Sequence, residues 1–198
     1  MNPELSSLFE KALVFAKKTR PEEYDLVDTR RFEDEDTEDF LFQYTYVVFH
    51  SGMKYSIAMK MFEQFEKNPN ATVVSHPGKR KAIQAALQDY GLWFAKLKEA
   101  QDKIAFLATL PYLGPITKFH LARNLGIDCC KPDRHLVRLA LAQGYICQEA
   151  KCTSRDLLSC KCQHTCVTTM CQELAEKYSM RVGTVDFVLW AYAIGFDK

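Results

Sequence analysis

Apolar residues recur along most of the chain at the spacing of amphipathic helices. Near the N-terminus they fall three and four residues apart, at Leu5, Leu8, Phe9, Ala12, Leu13 and Ala16, which places them on one helical face. Similar patterns predict helices over residues 56–65, 76–90, 93–110 and 116–124, with Gly91 ending the helix over 76–90. Strict alternation of apolar and polar residues, the signature of a half-buried strand, does not occur. The pattern therefore predicts an all-α fold with short connections.

One segment, residues 40–49, is ambiguous by pattern alone. Its sequence, FLFQYTYVVF, is rich in Phe, Tyr and Val, and these residues also suit a buried strand. The length of the run favours a buried helix, which we expect to end at His50-Ser51-Gly52.

The composition bounds the class of protein. The chain has 198 residues, of which 47% are hydrophobic, so it is not a disordered chain and fits one domain or two small interlocked lobes. No apolar stretch approaches the ~20 residues that span a bilayer. The N-terminus also lacks the basic and apolar regions of a secretory signal. We therefore expect no membrane partner and an intracellular protein, in the cytoplasm, nucleoid or nucleus.

Charge is distributed unevenly although the net charge is only +1. Residues 1–42 contain 12 acidic and 6 basic side chains, with most of the excess in the acidic run 33–39, whereas the rest of the chain contains 20 basic and 13 acidic ones. The acidic run is typical of a solvated loop or a helix start. The basic remainder fits a polyanionic partner, but this feature alone is weak evidence.

The segment from Leu110 to Asn124 has the pattern of two helices joined by a tight turn. Gly114 is expected to adopt a positive φ there, and Pro115 to lie in the first turn of the second helix. The backbone N–H groups at such a helix start can hold a phosphate oxygen, and Lys118 and Arg123 add positive charge. An ordinary connection between two helices remains an alternative.

The sequence LPYLGPIT in this turn resembles the hairpin of the helix-hairpin-helix (HhH-GPD) DNA glycosylase superfamily, the endonuclease III and alkyladenine-type group. That family has Leu-Pro-x-hydrophobic-Gly-x-x-Thr, followed downstream by an Asp in a Val- or Pro-Asp-x-His-x-x-Arg setting. Here the downstream residues are Pro132-Asp133-Arg134-His135-Leu136-Val137-Arg138. The segment 171–195 is similar to the last helices of the same proteins, and the resemblance begins at about residue 38.

The resemblance implies a DNA glycosylase, which flips a nucleotide out of the duplex and breaks the base–sugar bond. Positive charge develops on the sugar as the base leaves, and a carboxylate stabilises that charge and activates water. We expect Asp133 to be this catalytic acid and His135 to orient it or to bind a phosphate. Asp133 would also serve well as a helix N-cap, which is compatible with catalysis, and His135 fits a buried structural role equally well.

Two further sets of residues follow from the resemblance. Contacts to the backbone of double-stranded DNA are expected from Leu113, Gly114, Ile116, Thr117, Lys118 and Arg138. Contacts to the flipped base are expected from Tyr46, His50, Met53 and Tyr55. Aromatic side chains at helical spacing are more often part of a core, so each member of the second set has that alternative.

One departure from the family concerns strand cleavage. Bifunctional members carry a Lys two residues after the hairpin glycine, where its amine forms a Schiff base with the sugar; this chain has Ile116. Lys118 lies two residues further on, about 200° around a helix, and is expected to point elsewhere. We therefore predict a monofunctional enzyme, although another amine such as that of Lys54 would change this.

The eight cysteines are concentrated in the last third of the chain. Thiols of an intracellular protein are expected to be reduced or to bind metal. Cys152, Cys160, Cys162 and Cys166 are dense enough for a zinc or [4Fe–4S] site, although their spacing differs from that of the iron–sulfur members of the family. Cys171 fits a helix core better.

Together these features predict two helical lobes with a cleft between them, containing a helix-hairpin-helix motif and a Cys-rich insert in the second lobe. The first lobe would span residues 38–127, and the second residues 1–37 and 128–198. We expect a monomer. Two alternative functions stay open: a transferase that modifies an already altered pyrimidine in DNA on the same scaffold, and a non-catalytic DNA-binding adaptor.

Overall fold

The computed structural model describes residues 3–70, 72, 74–145 and 165–195. Over these residues the secondary structure is helical without strands, which confirms the all-α class. The helices are α1 (Pro3–Thr19), α2 (Pro21–Thr29), a 3-10 turn (Phe32–Asp34), α3 (Thr37–His50), α4 (Tyr55–Lys67), α5 (Pro77–Glu99), α6 (Lys103–Leu107), α7 (Thr117–Asn124), α8 (Arg134–Ala142), α9 (Thr165–Tyr178) and α10 (Val182–Gly195). None of these described helices is long and apolar enough to cross a bilayer.

The chain divides into two compact units. The central unit is Phe32–Leu125, and the terminal unit combines Met1–Arg31 with Gly126–Lys198. The hairpin, from Leu110 to Asn124, belongs to the central unit, whereas Asp133 belongs to the terminal unit. The cleft expected between two lobes stays a prediction.

In the terminal unit, the core is formed by α1, α8, α9 and α10. Helix α10 is buried on nearly every side, from Gly183 to Leu189, and it packs along the amphipathic helix α1. The guanidinium of Arg181 donates hydrogen bonds to the carbonyls of Val27, Arg30 and Gly126, at 2.6–2.8 Å. These bonds tie α2 and the start of the second chain segment to α10.

In the central unit, the ambiguous segment 40–49 is the buried helix α3. Asp36 starts it with a capping box, because its side chain accepts from the N–H groups of Glu38 and Asp39 while Asp39 accepts from the N–H of Asp36. The acidic run therefore includes a helix start, as expected. Phe40 and Tyr44 are fully buried and pack against aromatic side chains of α5.

Two predicted helix boundaries in this unit are wrong. Gly91 does not end a helix, since α5 continues from Pro77 to Glu99. The apolar pattern over 93–110 is divided instead at Asp102, whose carboxylate accepts the N–H of Ala105 and caps the short helix α6. A glycine lowers helix stability by only about 1 kcal/mol, which the packing of α5 on α3 outweighs.

Candidate functional site

The hairpin is a turn between α6 and α7 that is held by several internal hydrogen bonds. The N–H of Gly114 donates to Thr117 Oγ1 at 2.7 Å, and the carbonyl of Gly114 accepts from Lys118 N at 3.2 Å. Tyr44, fully buried on α3, donates its hydroxyl hydrogen bond to the carbonyl of Pro111 at 2.7 Å. Burial also raises the pKa of Tyr44 above its ordinary value, so its hydroxyl stays a donor to this turn.

The expected backbone geometry of the hairpin is wrong in two respects. The residue with a positive φ is Tyr112, at 64°. The φ of Gly114 is not positive. Pro115 lies just before the helix, because Ile116 is the N-cap of α7. The reason is the turn closed by the hydrogen bond from Leu113 N to Leu110 O, which places Tyr112 in the position that needs the left-handed conformation.

The start of α7 nevertheless presents backbone donors. Within the described chain, no group accepts a hydrogen bond from the N–H of Ile116 or of Thr117. The N–H of Gly114, in contrast, is already bonded to Thr117. Unclaimed N–H groups at the positive end of a helix dipole bind anions, and Lys118 adds a positive charge beside them. The hairpin therefore has two backbone donors for a phosphate oxygen.

Asp133 has the capping geometry that the sequence predicts. Its Oδ1 accepts from His135 N at 2.9 Å and from Leu136 N at 3.2 Å, at the start of α8. Its Oδ2 lies 3.4 Å from the ammonium of Lys131. One oxygen thus fixes the carboxylate to the helix, and the other lies next to a positive charge.

Lys131 is itself anchored to the core of the terminal unit. Its backbone N–H donates to Oδ1 of Asp186, at 2.9 Å, and the Asp186 side chain is fully buried on α10. The Lys131 ammonium also lies 5.6 Å from the ring centroid of Trp190, within the range of a cation–π contact. The backbone and the side chain of Lys131 therefore both fix the segment that carries Asp133.

The other predicted residues of this segment lie on α8. The backbone N–H of His135 contributes to the cap on Asp133, whereas Nε2 of its ring lies 3.4 Å from Nε of Arg134. Arg138, one turn further along, is exposed. Roles for His135 in catalysis and for Arg138 in phosphate binding stay predictions.

The four residues predicted to contact the flipped base come together at the junction of α3 and α4. The rings of Tyr46 and His50 stack at 3.9 Å between centroids, and the ring of Tyr55 lies 5.5 Å from that of His50. Met53 donates its N–H to the carbonyl of His50 at 3.4 Å. Tyr55 is 67% exposed, so this cluster, here called the Tyr46–His50 cluster, has an aromatic edge open to solvent.

His50 is in an electrostatic environment that keeps it neutral. Its Nδ1 lies 2.8 Å from the carbonyl of Tyr46, and because a carbonyl only accepts, Nδ1 carries the proton. Burial lowers the pKa of His50, and the positive charge of Lys79 lowers it further. Its Nε2 is then an acceptor, and it is buried with no hydrogen-bond partner in the described chain. A group that donates to Nε2 would relieve that unsatisfied atom.

Two residues near this cluster were missed by the sequence analysis. His120 on α7 packs its ring against Tyr46 at 6.2 Å between centroids, which links the cluster to the hairpin helix. Lys79 on α5 is 2% exposed and donates from Nζ to the carbonyl of Phe49 at 2.8 Å; burial lowers the pKa of Lys79. His120 follows Thr117 by three residues on α7, and this helical spacing was the available signal for His120. No local pattern in the sequence indicated Lys79.

Only one of the four cysteines of the predicted metal site, Cys166, is among the described residues. Cys152, Cys160 and Cys162 lie outside the described residues, while Cys166 is buried in α9. Over the residues described, no group of three or more potential ligands comes together. Cys171 is buried in the core of the terminal unit, as expected. A zinc or [4Fe–4S] site in the Cys-rich insert stays a prediction.

Comparisons with known proteins support the fold. Neither the family models nor the curated proteins give a match to this chain. Two solved structures are similar to it: the 8-oxoguanine glycosylase/lyase of Methanocaldococcus jannaschii in complex with a 15mer DNA containing 8-oxoguanine, and the 8-oxoguanine DNA glycosylase of Thermotoga maritima. The first has 14% identity and a TM-score of 0.68 over 96% of this chain and 98% of that one. The second has 17% identity and a TM-score of 0.67 over 94% and 95%.

These similarities extend over nearly the whole of each chain. The helical glycosylase fold implied by the sequence resemblance is therefore confirmed. At identities of 14% and 17%, these similarities show the fold alone.

Proposed function

We propose that this protein is a DNA glycosylase that hydrolyses the N-glycosidic bond of a damaged or modified base flipped out of double-stranded DNA. The observation that carries the proposal is Asp133, whose carboxylate is fixed by two backbone N–H groups through one oxygen. The hairpin donors and the fold shared with a DNA-bound glycosylase support the same conclusion.

The proposed chemistry requires a carboxylate that is fixed in place. As the base leaves with the electron pair of the glycosidic bond, positive charge develops at the sugar, and the Asp133 carboxylate stabilises it. A water oxygen then bonds to the anomeric carbon, and Asp133 accepts the proton that this water loses. The departing base takes up a proton from solvent or from a nearby donor.

In the central unit, we assign two binding roles. The N–H groups of Ile116 and Thr117, with Lys118, bind the DNA backbone at the hairpin. The Tyr46–His50 cluster contacts the flipped base, because aromatic faces stack on bases and the Nε2 atom of His50 accepts a hydrogen bond from a base N–H. Leu113 and Gly114 of the hairpin, and Arg138 of the terminal unit, are proposed as further contacts to the DNA backbone.

The reaction is proposed to be monofunctional. Ile116 stands at the hairpin position where a bifunctional enzyme carries its reactive Lys, and an aliphatic side chain has no nucleophile. Lys118, two residues on, has its Nζ 5.0 Å from the ring centroid of Phe119. We expect no covalent trapping of the protein on abasic DNA by borohydride; efficient trapping would contradict this part of the proposal.

Further properties follow from a DNA substrate. The proposed activity belongs to a compartment that holds DNA, which is the cytoplasm, nucleoid or nucleus. We propose that a single chain is sufficient for activity, so that light scattering of the active protein should give the mass of a monomer.

The test is a product assay on a panel of duplex oligonucleotides, each with one damaged or modified base. The panel includes 8-oxoguanine, because both similar structures are of proteins named as 8-oxoguanine glycosylases. We expect mass spectrometry to detect a free base and an abasic site that alkali cleaves. A heavier nucleotide without free base would support the transferase instead, and tight binding without any product would support the adaptor.

A further inference from the structure

Tyr112 occupies a backbone position that favours glycine. The turn at the tip of the hairpin is closed by Leu113 N donating to Leu110 O at 3.3 Å, with Pro111 second and Tyr112 third. The φ of Tyr112 is 64°. Proline followed by a positive φ is the arrangement of a type II turn, in which Gly or Asn is the usual third residue. A large side chain at this position is therefore not required by the turn.

Another residue with a positive φ shows the contrast. Ser179, at 51°, ends α9, and the following residue, Met180, donates its N–H to the carbonyl of Ala175 at 2.9 Å. This pattern is a common helix C-cap, so the conformation of Ser179 has a local structural explanation. Tyr112 lies in no such cap. Strained positions of this kind concentrate at functional sites.

The ring of Tyr112 is held against the start of α5. The ring of His76 packs edge-on against it at 5.7 Å between centroids, and Nζ of Lys79 lies 6.0 Å from its centroid. A Cβ atom added to Gly78 would lie 3.0 Å from Cε2 of Tyr112, so a larger residue there would push the ring by a few tenths of an ångström. His76, Gly78 and Lys79 thus form a seat for the ring.

The seat leaves part of the side chain accessible. Tyr112 is 37% exposed, and no group in the described chain bonds to its hydroxyl. The same loop carries the unclaimed N–H groups of Ile116 and Thr117. An aromatic ring whose orientation is already fixed loses little conformational entropy when it binds a partner.

We propose that Tyr112 is an additional DNA-contacting residue of the hairpin, whose hydroxyl donates a hydrogen bond to a phosphate oxygen of the DNA backbone. Tyrosine is among the side chains that make such contacts. The inference rests on the proposed function, because it takes DNA as the partner. It adds a side-chain contact to the backbone donors of the hairpin and gives a reason for a tyrosine at a strained position.

The experiment measures the affinity for a duplex that contains a non-cleavable abasic analogue, by fluorescence anisotropy at several salt concentrations. We expect Tyr112→Phe to weaken binding about tenfold, as for one lost hydrogen bond to a charged group. The salt dependence should keep its slope, because no charge is removed. Lys118→Met is the comparison variant: it should lower the slope by about one.

A second variant separates binding from folding. Tyr112→Gly relieves the backbone but also removes the ring contacts with the start of α5, so we expect weaker binding, with circular dichroism showing whether the helical content is kept. Wild-type affinity of Tyr112→Phe, or of Tyr112→Gly with its helical content intact, would overturn the inference. If the wild-type protein shows no salt-dependent DNA binding, the proposed function itself fails, and the wild-type titration reports this separately.

Discussion

Nζ of Lys131 lies 3.4 Å from Oδ2 of Asp133, and these two side chains are only 12% and 16% exposed. The other carboxylate oxygen, Oδ1, accepts the two backbone hydrogen bonds of the α8 cap. Lys131 is therefore the charged partner of Oδ2. A charge pair with this little exposure is screened by water less than a surface pair. The relationship suggests that Lys131 helps to orient the carboxylate proposed to act at the sugar.

Lys131→Met is expected to lower the rate of base release at saturating DNA roughly tenfold, which corresponds to ~1.4 kcal/mol of barrier. The methionine has a similar length but no charge, so Oδ2 of Asp133 loses its partner. Lys131→Arg keeps the charge and should retain most of the rate. Single-turnover kinetics with the best substrate of the panel measures both. Equal rates for wild type and Lys131→Met would contradict an orienting role.

Asp133→Asn separates capping from catalysis. Asn caps a helix about as well as Asp, so the cap is kept and the free energy of unfolding should fall only by the contribution of the lost charge pair with Lys131. The rate of base release should fall by about 10²-fold or more, because the amide carries no negative charge. Urea unfolding and the product assay measure the two quantities.

Asp133→Ala is the matched control for that experiment. It removes the charge pair and also both hydrogen bonds of the cap, so it should cost ~1 kcal/mol of stability more than Asp133→Asn, with the same loss of activity. Substantial base release by Asp133→Asn would show that this carboxylate has a purely structural role.

The parts of the molecule that sequence predicted well are those that local chemistry determines. Asp133 caps α8 because a carboxylate directly before a helix meets its first N–H groups, and His76 with Pro77 starts α5 in the same local way. The positive φ of the hairpin was assigned to Gly114, because glycine is the usual residue for it. Long-range contacts of Tyr112 with α5 hold the strained residue there instead, and such contacts are not visible in a local pattern.

The low helix propensity of glycine at position 91 is outweighed by the packing of α5, and a substitution there measures its cost in stability. Gly91 lies inside α5, where a Cβ would meet only Thr37 Cγ2 at an ordinary 3.8 Å. We expect Gly91→Ala to raise the free energy of unfolding by about 0.5–1 kcal/mol, since alanine loses less backbone entropy in a helix. Urea unfolding measures the change. An unchanged or lower stability would mean that the added methyl group disturbs the contact with α3.

Gly78→Ala is the comparison in the same helix. Its Cβ would lie 3.0 Å from Tyr112 Cε2 and 3.2 Å from His76 Cε1, so this methyl group displaces the ring of Tyr112. We expect the stability to fall, in contrast to Gly91→Ala, although both variants make the same chemical change.

The Tyr46–His50 cluster shows the other limit of sequence reasoning. The sequence placed Tyr46, His50 and Tyr55 near one another because they are close along the chain. Lys79 lies on α5 and His120 lies on α7. Their contacts with α3 depend on how the helices of the central unit pack. Burial is the main cause of the lowered pKa of His50, and the charge of Lys79 adds to it.

This environment makes stability depend on the ionisation of His50. Burial, with a contribution from Lys79, holds the pKa of His50 below its ordinary value of 6.5 in the folded protein. As the pH falls through about 6.5, the unfolded chain gains a proton at this residue that the folded protein does not. Stability is therefore lost on acidification, and it is fully present above that pH.

His50→Gln is expected to reduce that loss, because glutamine does not titrate. Urea unfolding of wild type and variant at pH 7.5 and about pH 5.5 measures it: the stability of the wild type should fall more between the two values than that of His50→Gln. The remaining histidines are common to both proteins, so their contributions cancel in the comparison. Parallel losses would contradict a neutral His50, and with it the acceptor role of Nε2 toward a base N–H.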